Sequence, residues 1–163
     1  MSLAVDANGK IRVLQGGAVL HEKLVIAPVE PPAMVSWSPT SNAFFINDGE
    51  GSGMTSVFRM FRIENGGVFE EATIRKRAVA FFRKTVRCRP QAYDPDVWGF
   101  GWSADGREIY LLVQSTVHNP CGPSGTFISL IVGADDAGIR GKLSASGTER
   151  RFRSLLPAEI FRK

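Results

Sequence analysis

Glycine and proline, 17 of one and 9 of the other, cut the sequence into short apolar segments, and that punctuation limits what the chain can build. Each break either permits a turn that other residues resist or interrupts a hydrogen-bond ladder. Segments of this length pair as antiparallel strands. Ile11 to Leu14 and Ala18 to Ala27 flank Gln15-Gly16-Gly17 and read as a hairpin. Val35 to Trp37 and Ala43 to Asn47 read as the next pair, joined by Ser38-Pro39-Thr40-Ser41. Thr55 to Ile63 carries apolar side chains on both faces, which predicts a central strand ending at Glu64-Asn65-Gly66-Gly67. Val97 to Trp102, Glu108 to Thr116 and Thr126 to Val132 supply three more strands.

The period changes at Val68. From there Ala72, Val79, Phe82 and Val86 recur at helical steps, and neither glycine nor proline intervenes before Pro90. The reading is one long amphipathic helix over about 68–87. Glu70 and Glu71 then fall in its first turn and Arg83, Lys84 and Arg87 in its last, as the helix dipole prefers. Ser146 or Thr148 is placed to cap a short C-terminal helix that runs through Leu156 and stops at Pro157. The expected fold class is mainly β of the α+β type, with antiparallel sheets and these two helices. At 163 residues and 44% hydrophobic, the chain is expected to form a single domain, 1–163.

One hairpin recurs. Val35-Ser36-Trp37-Ser38-Pro39-Thr40-Ser41-Asn42-Ala43-Phe44-Phe45-Ile46 aligns with Phe100-Gly101-Trp102-Ser103-Ala104-Asp105-Gly106-Arg107-Glu108-Ile109-Tyr110-Leu111. Both hold Trp-Ser, a tight turn and an apolar triplet in one register. Asp6-Ala7-Asn8-Gly9-Lys10-Ile11 is a weaker third echo. The pattern resembles the Trp-Ser-Pro-Asp-Gly hairpin of TolB-like and WD40-like β-propeller repeats. The second copy departs from that consensus at Ala104 and the first at Thr40-Ser41. The copies are spaced more widely than the ~40 to 45 residues of propeller blades, and the helix between them accounts for the excess. A closed ring of at least four blades would leave no room for that helix, so the resemblance implies an open arrangement of blade-like hairpins. It also implies a non-enzymatic module that binds another protein, of the bacterial envelope type.

The net charge of +4 comes from 20 basic and 16 acidic side chains, and its densest part is Arg75-Lys76-Arg77 with Arg83-Lys84, Arg87 and Arg89. Arg75, Arg83 and Arg87 fall off the Val79-Phe82-Val86 stripe, and form either a solvated face or a contact for an acidic protein or anionic surface. Nucleic acid is not expected, because the nearby aromatics Phe81 and Phe82 are adjacent and read as core. Trp98, Phe100 and Trp102 alternate with Gly99 and Gly101 on one strand. Their shared face either packs beneath the long helix or offers a flat binding surface.

Catalytic and metal patterns are thin. Asp48-Gly49-Glu50-Gly51-Ser52-Gly53 lacks the carboxylates of an EF-hand, and His118, Cys121, His21 and Cys88 follow no zinc-finger spacing, so no metal or cofactor is expected. Neither a Gly-x-Ser-x-Gly elbow nor a phosphate-binding glycine loop is present. The enzymatic alternative is a small hydrolase or carbohydrate-active enzyme with its site in loops 48–53 and 117–125.

Cys88 and Cys121 each sit in a proline-rich loop, as a disulfide tying two connections together or as two separate thiols. The first residues carry no secretory signal, and no apolar run approaches the ~20 residues of a membrane helix. The expected location is periplasmic or secreted if a signal peptide has been removed, and otherwise cytoplasmic.

Overall fold

The computed structural model describes residues 2–5, 11–15, 18–19, 33–49, 57–65, 67–88, 94–115, 121, 123 and 125–156. The protein is mainly β; the described residues form two four-stranded antiparallel sheets, a three-stranded one and two helices. It divides into two compact units, Met1–Glu71 and Ala72–Lys163.

In the first unit, β1 (Ser2–Val5), β2 (Ile11–Gln15) and β3 (Ala18–Val19) form the three-stranded sheet. The third echo, at Asp6 to Lys10, lies outside the described residues, as do Gly16, Gly17 and 20–32. Strands β4 (Ala33–Trp37), β5 (Ala43–Asp48), β6 (Val57–Glu64) and β7 (Gly67–Glu71) pair in chain order as a meander. Register places Trp37, Phe44 and Phe61 side by side on one face, with ring centroids 4.8 and 4.9 Å apart, and Val13 and Ile46 complete that core. Farther along the same face Arg59 lies over the Phe61 ring and grips Glu70 with two 2.8 Å hydrogen bonds. Phe45, Phe58 and Met60 are buried on the opposite face, so β6 is central and apolar on both sides as expected.

The long helix begins later than its periodicity suggests. Residues 67–71 are strand β7, and α1 spans Thr73–Val86. Pairing with β6 sets Val68 opposite Ile63 and Glu70 opposite Phe61. Val68 thereby joins the aromatic core and Glu70 meets Arg59, so tertiary pairing overrides local helical spacing. Glu70 and Glu71 are accordingly not in the helix's first turn, which holds no acid. Its last turn carries Arg83 and Lys84 as expected, and Arg87 caps it in the left-handed region.

In the second unit, β8 (Asp96–Trp102), β9 (Glu108–Gln114), β10 (Phe127–Gly133) and β11 (Ile139–Leu143) form another four-stranded meander, followed by α2 (Ala145–Phe152). Helix α1 packs Ile74, Ala78, Val79 and Phe82 toward β8, β9 and β10. Helix α2 covers the face that carries Trp98, Leu112, Tyr110 and Ile131, where Phe100 and Phe152 meet at 5.2 Å. Ser144 caps α2, accepting from the Gly147 N–H at 3.3 Å. The two residues expected to cap it do otherwise. Thr148 is fully buried with its hydroxyl 2.9 Å from that of Ser129, and Ser146 lies within the first turn.

The aromatic strand does not keep a single face. Gly99 pairs with Leu111 but Gly101 with Tyr110, leaving Phe100 as the extra residue of a bulge. Beyond it the alternation is reset. Trp98 and Phe100 join the cluster under α2, whereas Trp102 pairs with Ile109 on the other face.

The recurrent hairpin is a structural repeat. The Ser38 N–H donates to the Ala43 carbonyl and the Ser103 N–H to that of Glu108, each at 2.9 Å. Both serine hydroxyls also accept the returning N–H, from Ala43 and Glu108. In each sheet this turn joins the first two strands of the meander.

Candidate functional site

One end of the second sheet carries a polar cleft of about 600 Å³, lined by Ser103, Ala104, Asp105, Arg107, Glu108 and Arg140. Two turns build it. In the β8–β9 turn, Asp105 accepts from the Ser103 hydroxyl at 2.6 Å and the Arg107 N–H at 3.1 Å. These donors, the hydroxyl foremost, hold the Asp105 carboxyl below its usual range. In the β10–β11 turn, Asp136 accepts from the Gly138 N–H and from Arg140, both at 2.9 Å, and its carboxyl is lowered mainly by the former. Arg140 reaches it as the extra residue of a second bulge, opposite Ile131 and Val132. Gly133 permits the arrangement, because a Cβ there would collide with the Asp136 carboxylate. The Ala134 N–H donates to the Arg107 carbonyl at 2.8 Å and ties the two turns together.

The cleft presents the carboxylates of Asp105 and Glu108 beside the exposed side chains of Arg107 and Arg140. Such a surface suits ionic and hydrogen-bonded recognition.

The structure places the residues singled out from sequence at separate positions. Arg75 and Arg83 converge on Asp94, at 3.6 and 3.2 Å. Arg75 does not fall off the apolar stripe as expected, because seven residues of helix bring it to the side that carries Phe82; with Arg83 it meets an intramolecular carboxylate. Arg87 is exposed at the C-cap, and Lys76, Arg77 and Lys84 are exposed along the helix. Trp98 is partly buried beneath α2, and Trp102 occupies the opposite face. Cys88 and Cys121 are paired, with Cα atoms 4.7 Å apart, and Cys121 is fully buried. Asp48 is buried 3.9 Å from Arg59. Residues 50–53, His21, His118 and Arg89 lie outside the described residues. Among the described residues no group of three His, Cys, Asp or Glu is placed to hold a metal ion, and no helix is long and apolar enough to cross a membrane.

Sequence reading passed over the cleft, because its halves come from turns some 30 residues apart, each with ordinary turn chemistry. It placed a strand at Val35 to Trp37 but passed over the exposure of Met34 and Val35 there. A signal for the second was present, since no charge interrupts Ala33-Met34-Val35.

Fold and surface together define a mainly β protein with two antiparallel meanders and a charged cleft on the second. No protein-family model, no curated protein and no solved structure matches the chain.

Proposed function

We propose that the chain is a non-enzymatic module that binds another protein, with blade-like sheets of the kind its Trp-Ser hairpins resemble, acting in the bacterial envelope. The observation that carries this reading is strand β4. It is an edge strand among the described residues, with Met34 and Val35 exposed by 42 and 41% on opposite faces. Natural edges are usually blunted by lysine, a bulge or an inward charge, and Ala33 to Trp37 holds none of these. An open edge of this kind accepts a strand from a partner, with main-chain bonds supplying affinity and alternate side chains specificity.

Two further features support the reading. Each four-stranded meander opens with the same Trp-Ser turn, as blade-like repeats would. The Cys88–Cys121 pair fits an oxidising compartment, which favours a periplasmic or secreted location.

Capture from a bacterial envelope fraction tests the proposal, with the wild-type chain and Val35→Lys compared at about 0.05 and 0.5 M salt. The wild type is expected to retain a partner that the variant loses. Failure to enrich any protein at low salt, or equal capture by both chains, removes the proposal.

A further inference from the structure

Helix α1 carries two sets of cations with different fates. Arg75 and Arg83 share Asp94. Lys76, Arg77 and Lys84 project from the side opposite Ile74, Ala78, Val79 and Phe82, and Arg87 follows at the C-cap. All four of the latter are exposed. At about 100° per residue they fall in a band about 100° wide, and the rise per residue makes it about 16 Å long.

None of the four has a carboxylate partner among the described residues. Arg77 donates to a backbone carbonyl, that of Asp136, at 2.8 Å. From Ala72 to Tyr93 the sequence contains no acid. Arg59, Arg107, Arg140 and Arg153, by contrast, each meet a carboxylate. A band of like charges is self-repelling in the free protein, and an anionic partner relieves that repulsion.

We infer that this stripe docks an acidic segment of a partner protein. Charge complementarity sets the sign of the partner, and the helix surface sets its class. A helix that lies on a lipid surface inserts bulky apolar side chains beside its cations. The apolar side of α1 is already spent on the sheet, and the exposed residues among the cations are Thr73 and Ala80. The spacing also gives the segment a pattern. From Lys76 to Lys84 the rise is about 12 Å, which an extended strand covers in about four residues. Acidic residues about four apart in an extended segment therefore match the two cationic groups. The acidic turn Asp135-Asp136 borders the Arg77 end, so the segment extends from there toward Arg87.

The inference rests on the binding reading only in taking the ligand to be a protein. Fluorescence anisotropy of labelled octaglutamate tests it, together with sedimentation of phosphatidylserine–phosphatidylcholine vesicles. The variants are Lys76→Glu with Lys84→Glu, and a control of equal net charge, Arg150→Glu with Arg151→Glu on α2. At low salt the first variant is expected to weaken octaglutamate binding about tenfold or more, and the control less than about threefold. The vesicles are expected to stay unbound. Equal loss in both variants, no binding by wild type, or vesicle binding that only the α1 variant loses overturns the inference. If envelope capture succeeds yet ignores the α1 reversal, the inference fails and the binding module stands. If octaglutamate binding behaves as expected while capture finds nothing, the stripe stands and the edge-strand reading fails.

Discussion

Ser41 and Gly106 occupy the same place in two equivalent turns. Each donates its N–H to the carbonyl of the serine three residues earlier at 2.9 Å, and each is left-handed, with φ of 56° and 71°. Only glycine adopts that region without steric cost. Ser41→Gly is therefore expected to be neutral or to stabilise by up to about 1 kcal/mol, the relieved strain being partly offset by a freer unfolded chain. Gly106→Ser is expected to destabilise by about 1 kcal/mol. Urea unfolding midpoints of the two variants decide it, and midpoints moving in the same direction would remove the equivalence.

The bulge at Phe100 sends Trp98 and Trp102 to opposite faces, which makes them separable probes. Phe152→Ala empties part of the cluster under α2 at an expected cost of about 3 kcal/mol. In chains whose single tryptophan is Trp98 or Trp102, with Trp37 also replaced by Phe, that substitution should raise acrylamide quenching of Trp98 and leave Trp102 nearly unchanged. An equal rise at both would mean that they share a face after all.

Cys88 and Cys121 close a loop with a sequence separation of 33. A bridge over that length restricts the unfolded chain by about 3 to 4 kcal/mol on the loop-entropy model. Cys88→Ser with Cys121→Ser, or reduction of the wild type, should lower the thermal midpoint by a matching amount. Identical melting curves with and without reductant would falsify a stabilising bridge.

Asp105 and Asp136 have carboxyls held below the ordinary value of 3.8. A depressed folded value means that the ionised form stabilises the fold. That contribution is complete above about 3.8 and is lost as the pH falls from there through the lowered folded value. Thermal midpoints recorded from neutral to strongly acid pH should drop in that window, and Asp105→Asn should flatten part of the drop. A variant whose acid profile matches the wild type's would show that the Ser103 and Arg107 donors contribute nothing there.

The short strands and their hairpins were legible because their causes are local. Apolar alternation in β6 and the two Trp-Ser turns needed nothing from elsewhere in the chain. The start of α1 was not legible, since Val68 fits a helical period and a strand period equally well and only Ile63 and Arg59 decide between them. Asn65-Gly66 is read from sequence only as the end of β6, whereas an Asn-Gly pair is also a hairpin signal, and Asn65 takes a φ of 51° between the paired residues Glu64 and Gly67. The bulge at Phe100 left no local trace, and the clean Trp-Gly alternation argued against it. Arg75 and Arg83 find Asp94 through the chain's path after α1, which the helical spacing of the basic residues does not encode.

The repeated turn also bears on the order in which the protein forms. A hairpin closed by its own turn assembles in microseconds, long before distant strands meet. This chain contains that closure twice, and the first copy needs nothing beyond Ile46. It can therefore form while the remainder is still being synthesised, as N-terminal segments commonly do. Cys121 follows the second copy in the chain, so the bridge to Cys88 can form only after both hairpins have been synthesised.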